Sequence, residues 1–463
     1  MAIISATSSV GDPNGGALTR EQLDQRTLYR RAVEAVIWGM PAVNYDRMLQ
    51  SFIAAGGGAN QIAYWSSLLD GLNQTLTPNP DTVYVNPFFD TREVGPMVLE
   101  IPPAGAGSIT GSIDDCWQNA LEDVGPAGTD KGAGGKYLIL PPDYDGSVPD
   151  GYIPVRSDTY QGFAILRSNV KSGSDADVAA AVAYGKAVGF YPLSAGPEAR
   201  DSRYVDLSGV LYDATIQYDR RFFQSLARMV EHEPWLLRDK ALIDPLRSLG
   251  IRKGSPFQPN DAAGALLDAA ALEARAWLDA HYEDVFDPPF YPGGHWALPA
   301  VAEVVEGMPN FFADPNAYPV DGRGVTYSMA YFSAKHLGAG QFYLMTTRDR
   351  EGRPFDGGAA YRLHVPANAP VRLYWSATAY DRETHALIRD VARASRASNS
   401  PEIQANPDGS VDVWFAPDPP PGKEGNWTPT RRDRGFEVLF RIYGPEKPFF
   451  DKQWILPDIE KVQ

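Results

Sequence analysis

The hydrophobic periodicity of this chain changes character three times along its length, and that pattern narrows the open folds more than any single motif does. Between Thr19 and about Ala55 the apolar residues Leu28, Val33, Val36, Ile37 and Met40 recur at helical spacing. Thr19 and Gln22 stand at capping-box distance at its start. "GMP" at Gly39–Pro41 predicts a kink or break, and "GGG" at Gly56–Gly58 predicts the end. A second short helix is expected over Ile62–Leu72. From about residue 76 the texture becomes β: "MVLEIPP", "GKYLILPP", "GYIPVRS" and "GFAILRS" are short runs parted by Gly and Pro at sandwich-like spacing. Helical patterns return between about Asp175 and Val305, as in "ATIQYDRRFFQSLARMV" and "AAGALLDAAALEARAWLDAHY". The last third is β again, with one-face alternation in "VRLYWSATAY" and "FEVLFRIY". Asp-Gly in "NPDGS", Asn406–Ser410, is the strongest hairpin signal.

The fold class expected is therefore α+β, mainly β with substantial α. The predicted units are an N-terminal helical segment (1–75), a β-sandwich-like domain (76–174), a helical connecting segment (175–320) and a C-terminal jelly-roll-like domain (321–463). A length of 463 residues fits two or three domains, and 43 glycines with 39 prolines fit loop-rich sandwiches. The two β domains are expected to have separate cores.

Charge and cysteine content exclude whole function classes. The formal charge is −16, with 58 acids against 42 bases and no basic run of five, so neither nucleic acid nor an anionic membrane is an expected partner. Nothing reaches 18 apolar residues, so no membrane span is expected. Cys116 is the single cysteine, which removes disulfides, dithiol redox chemistry and thiolate metal clusters. The start, "MAIISATSSVGDPNGG", has no basic n-region or long apolar stretch, so the sequence as written is expected in the cytoplasm. A removed signal would place it in the periplasm or outside the cell.

The densest polar motif is "TLTPNPDTVYVNP", Thr75–Pro87, which sets Asn79, Asp81, Thr82 and Tyr84 among three prolines just before a strand. Either it steers the chain into the strand, or it holds a polar constellation over a pocket. The sequence has no G-x-S-x-G elbow, no H-E-x-x-H, no Walker A and no complete G-x-G-x-x-G. Glycine-rich "GTDKGAGGKY" precedes a strand rather than a helix and reads as a loop. Among six histidines, His336 in "YFSAKHLGAGQ" and His385 in "YDRETHALIRD" are the functional candidates. His232 and His281 read as helix surface and His364 as a strand residue. Trp65, Trp117, Trp375 and Trp427 each sit near polar side chains, in the manner of aromatic pocket walls and equally of core tryptophans.

"TPNPDTVY", "GPMVLEIPP" and "DDCWQNALEDVG" resemble the bacterial domain-of-unknown-function family 1254. "YWSATAYDRETHALI", "DGSVDVWFAPDPPPGKEGNWTPT" and "FEVLFRIYGP…FDKQWILPDI" resemble its usual C-terminal companion, family 1214. The resemblance covers nearly the whole chain in the expected order and implies the architecture given above. It makes Asn79, Asp81, Thr82 and Tyr84 candidates for one functional wall, with Asp115 and Trp117 beside them. Lys335, His336, Trp427 and Arg441 are the candidates on the other domain, and Arg441 is expected to pair with a carboxylate of the protein or of a substrate.

The function expected first is a cofactor-independent enzyme, a hydrolase or acid–base catalyst acting on a small molecule. Its catalytic set is Asp81, His336, Tyr84 and Lys335. Asp81 serves as base and His336 as its partner in one pocket between the domains. Asn79, Thr82, Asp115, Trp117, Trp375, His385, Trp427 and Arg441 are the substrate-binding candidates. Two alternatives stay open: a non-catalytic carbohydrate or small-ligand binding protein, and a metal-dependent enzyme with Asp, Glu and His ligands from distant strands. No cofactor is called for, and a monomer or a homodimer is the expected assembly.

Overall fold

A computed structural model describes residues 17–196, 202–330, 334–338, 340–391 and 393–462. Its long first helix, Arg20–Ala54, begins at the expected capping box, with the Thr19 hydroxyl accepting from Gln22 N and the Gln22 side chain accepting from Thr19 N. Contrary to the sequence expectation, Pro41 does not break it. Proline denies the Ile37 carbonyl its helical partner, yet the segment is fully buried, and tertiary packing outweighs the local penalty. Gly324 packs against that carbonyl so closely that a Cβ there would lie 2.7 Å from the Ile37 oxygen. The Pro41 carbonyl itself accepts from Gln118 Nε2 at 2.8 Å.

The helix expected over Ile62–Leu72 is replaced by a strand, Gln61–Tyr64, followed by loop. That strand joins a six-stranded sheet in the order Tyr204–Asp206, Gln61–Tyr64, Val83–Asp90, Gln161–Ser168, Ile109–Asp115 and Ala120–Val124. A four-stranded sheet, Gly189–Pro192, Met97–Ile101, Gly135–Leu140 and Tyr152–Arg156, covers one of its faces. Val85, Phe89, Leu99, Ile113 and Ile139 fill the space between them. The first sandwich thus takes strands from both sides of the predicted 76–174 unit, and the helix Asp175–Gly185 packs onto it.

The C-terminal sandwich pairs Gln341–Thr346, Phe436–Pro445, Val371–Asp381 and Ser395–Ala397 in one sheet. Trp427–Pro429, Val411–Ala416, Ala360–Val365 and Glu460–Val462 form the other. Leu344, Leu363, Trp375, Phe415 and Phe440 lie between them. The Asp-Gly segment does turn, with Asn406 N donating to the Ser410 carbonyl at 2.7 Å and Gly409 at φ 86°. It is not a hairpin, because the strand that follows pairs with Ala360–Val365 and Trp427–Pro429 instead.

Arg20–Ala54 packs with Arg220–His232, Asp261–Tyr282 and Val320–Met329, so the N-terminal helix and the middle helices form one body. Its core continues without interruption into the outward faces of both sandwiches. Tyr84, Phe88, Phe163 and Ile165 come from the first, and Tyr343, Met345, Tyr380 and Leu439 from the second. Each sandwich keeps its own interior, and a third core runs through both and the helices. Among the described residues no helix is long and apolar enough to cross a membrane.

Candidate functional site

The polar turn is the place where the two sandwiches meet. Thr77 N donates to the His385 carbonyl at 2.7 Å, and the Thr77 carbonyl accepts from Arg441 Nη2 at 2.6 Å. The Pro78 carbonyl accepts from the Tyr380 hydroxyl at 2.6 Å. Asn79 Nδ2 donates to the hydroxyls of Tyr443 at 2.8 Å and Tyr374 at 3.2 Å, two rings stacked 4.5 Å apart. Its Oδ1 accepts from Asp81 N, and its own N–H donates to the Tyr84 hydroxyl at 2.9 Å. A run of prolines and short polar side chains suits this task, since its fixed backbone presents carbonyls and an amide in set directions.

The turn also walls a partly enclosed cavity at the junction. The cavity volume is about 40 Å³, and further space opens from it toward solvent. Strand alternation builds the walls. From the first sandwich, Tyr84, Asn86 and Phe88 share one face of Val83–Asp90, and Phe163, Ile165 and Arg167 share the same face of the neighbouring strand. Tyr343, Leu439 and Arg441 come from the C-terminal sheet, and Trp65 from the loop after Gln61–Tyr64. The register places Tyr84 directly across from Arg167, and Tyr343 directly across from Arg441. The guanidinium carbons lie 5.4 Å from the Tyr84 ring centre and 5.8 Å from that of Tyr343, within cation–π range.

Both arginines are buried, Arg167 to 6% and Arg441 to 2% exposure. Burial works against each charge, but the surrounding tyrosine oxygens favour it and hold both groups above the usual arginine range. Arg441 spends its donors on Thr378 Oγ1, the Thr77 carbonyl and the Tyr380 hydroxyl. Burial pushes the Tyr343 phenol far upward, so it remains a neutral hydrogen-bond donor.

Of the sequence candidates, Tyr84 and Arg441 line the cavity, together with Trp65 among the tryptophans singled out. Asn79 supports it through Tyr84. The structure does not assemble Asp81 with His336. Asp81 is buried away from the cavity wall, accepting from the Ser395 hydroxyl at 2.5 Å and lying 3.7 Å from Arg393 Nη2. Burial raises its pKa, opposed by Arg393 and Ser395. His336 Nδ1 lies 3.1 Å from Asp123 Oδ2, with its side chain 55% exposed. Lys335 Nζ pairs with Glu122 at 3.2 Å and the Leu121 carbonyl, and it too is absent from the cavity lining.

The remaining candidates hold the fold. Thr82 Oγ1 donates to the Ser168 carbonyl, and Asp115 accepts from the backbone of Trp117 and Asn119 and from the Asn119 amide. Trp117 packs on Trp38 at 4.8 Å, Trp375 on Phe440 at 5.5 Å, and Trp427 Nε1 donates to the Ala416 carbonyl. His385, at φ 55°, pairs through Nδ1 with the buried Glu437 at 2.8 Å. Arg167, Asn86 and Tyr343 are cavity residues absent from the sequence reading. The available signal for Arg167 was the alternation in "GFAILRS", which puts an arginine on the apolar face shared by Phe163 and Ile165.

Fold and site together define an α+β protein in which two β-sandwiches and a shared helical body enclose a polar-aromatic cavity. Residues 59–192 match the family described as a protein of unknown function (DUF1254) and residues 340–447 the one described as a protein of unknown function (DUF1214), so the chain carries both domains in that order. The VPA0106 protein from Vibrio parahaemolyticus shares the fold, with a TM-score of 0.58 at 17% identity over 94% of this chain and 100% of that one. A putative uncharacterized protein from Burkholderia cenocepacia aligns over 95% and 96% of the two chains at 13% identity, with a TM-score of 0.42. No curated protein matches.

Proposed function

We propose that this protein binds a small molecule in the cavity between its two sandwiches. The observation that carries the reading is the convergence of Tyr84 and Arg167 from one domain with Tyr343 and Arg441 from the other on a single partly enclosed space. Aromatic walls with a few converging polar groups are how small-molecule sites are built.

An acid–base enzyme of the kind expected from the sequence would take a narrower form here. Among the described residues the cavity lining offers phenols, threonine hydroxyls, an indole, amides and guanidinium groups, but no carboxylate, imidazole or lysine. Proton transfer there falls to Tyr84. Its hydroxyl accepts from Asn79 N, and on this reading its proton goes to a ligand. Binding is therefore the better supported function, with Tyr84 as the donor in any chemistry that follows.

A thermal-shift screen of small molecules against the wild type and Ile165→Trp tests this. Ile165 is part of the cavity wall, so hits that stabilise the wild type should lose their effect in the filled variant. Hits that stabilise both proteins equally bind elsewhere and would remove the cavity from consideration.

A further inference from the structure

Two guanidinium groups line one cavity, and among the described residues neither has a carboxylate as hydrogen-bond or ion-pair partner. Asp81 does feel the charge of Arg441, but its oxygens are engaged by Ser395 and Arg393. A buried charge left uncompensated is costly, and a second like charge in the same space adds to the cost. Arg167 is the less satisfied of the pair. Its Nε and Nη1 are buried and have no hydrogen-bond partner, whereas Arg441 is committed to three oxygens. Buried donors of this kind point to an acceptor that the folded chain does not itself supply.

We infer that the cavity takes a small organic acid, its carboxylate held beside Arg167 and its apolar body against the aromatic walls; this rests on the small-molecule reading given above. Arg441 adds a second positive charge while it anchors the turn. Trp65, Phe88 and Phe163 supply the surface for the body. A carboxylate suits the donor set better than a phosphate. Arg167 has two unpaired nitrogens and Tyr84 and Tyr343 offer hydroxyls, which serve two oxygens; a phosphate would press a third against the apolar wall. Asn86 Oδ1, also buried and unpartnered on this wall, gives a site for a hydroxyl or amide N–H on the ligand.

The test is calorimetric titration of the full chain with hexanoate, benzoate and 4-hydroxybenzoate, each beside its neutral primary amide, and with inorganic phosphate. At least one acid should bind, its amide should bind about tenfold more weakly or worse, and phosphate should not compete. Arg167→Gln should lose at least about tenfold in affinity for that acid, and Arg167→Lys, which keeps the charge, should recover part of the loss. Circular dichroism identifies a variant that has not folded, and Arg167→Lys then decides alone. An acid and its amide binding equally, or an undiminished affinity in both variants, overturns the carboxylate assignment while leaving the cavity as a ligand site. Phosphate binding in place of the acids overturns it as well. If the amides, the acids and the hits of a neutral library all fail to bind, the small-molecule reading falls with it.

Discussion

Arg167 and Arg441 reach one cavity from opposite sandwiches, each directly across its own sheet from a tyrosine. The two Tyr–Arg pairs stand on the sheet faces that look away from the sandwich interiors and toward the shared core. Neither sandwich alone makes this site. Its assembly depends on the turn at Thr75–Asn79, whose Thr77 and Pro78 carbonyls and Asn79 amide are met by the C-terminal sheet.

Asn79 is the test of that dependence. Asn79→Ala removes a donor from each of the buried Tyr443 and Tyr374 hydroxyls, leaving Tyr374 its bond to the Asp81 carbonyl, and removes the Asn79–Asp81 turn bond. The expected loss is about 1–3 kcal/mol in denaturant unfolding. Tyr443→Phe should show non-additive coupling with it in a double-mutant cycle, because the two share a hydrogen bond. Additive losses would mean that the contact does not join the domains energetically.

Asp81 and His336 should behave differently from each other. Asp81→Ala removes one of two buried acceptors near the Ser395 hydroxyl and a neighbour of Arg393, and is expected to cost about 1–3 kcal/mol. His336→Ala removes a half-exposed ring, leaving Asp123 with the backbone N–H groups of Lys335 and His336. Its effect should stay within about 0.5 kcal/mol, with ligand affinity unchanged. A loss of binding in His336→Ala would restore the pairing of Asp81 and His336 that the structure separates.

Stability should fall as pH rises from about 4.5 to about 7. Burial pushes Glu233 up to about 7 from 4.5, against the backbone N–H groups of Tyr160 and Gln161. Between those values the folded chain holds the proton that the unfolded chain has released. Stability therefore declines across this window, by about 3 kcal/mol for this group once both forms are ionised. His232 acts in the same direction. Its hydrogen bond to Asp90 raises its pKa above 6.5, so its contribution is complete below 6.5 and is lost as pH climbs through the folded value. Glu233→Gln should flatten the lower part of the profile, as read from thermal midpoints across the range. A wild-type midpoint that rises between these pH values would contradict the account.

The continuous third core predicts one cooperative unfolding transition. Tyr343, Met345, Tyr380 and Leu439 of the C-terminal sheet pack into the same cluster as the helices, so separating that sandwich exposes an apolar face. Calorimetry should show a single transition whose van't Hoff and calorimetric enthalpies agree. Two resolved transitions would show that the sandwiches are energetically independent.

Much of the fold was legible because it rests on local patterns. The capping box at Thr19, the strand runs "MVLEIPP" and "GKYLILPP", and the helix around Phe222 follow from spacing alone. Three expectations failed for tertiary reasons. Pro41 lies inside a buried helix whose neighbours compensate for it, Gln61–Tyr64 became a strand because it has partners on both sides, and "NPDGS" turns without pairing its flanks. The site was half legible. Tyr84 and Arg441 could be found from their motifs, but Arg167 has no motif. Its importance comes from standing opposite Tyr84 and from lacking a carboxylate partner among the described residues, which only the paired strands reveal.

The most direct test of the central claim is a high-resolution crystal structure of the protein soaked with the tightest-binding acid from the titration panel. The account predicts electron density for the ligand between the two Tyr–Arg pairs, with carboxylate oxygens within hydrogen-bond distance of Arg167 and the body against Trp65, Phe88 or Phe163. A cavity holding only water, with the acid bound elsewhere or oriented with its carboxylate away from Arg167, would contradict it.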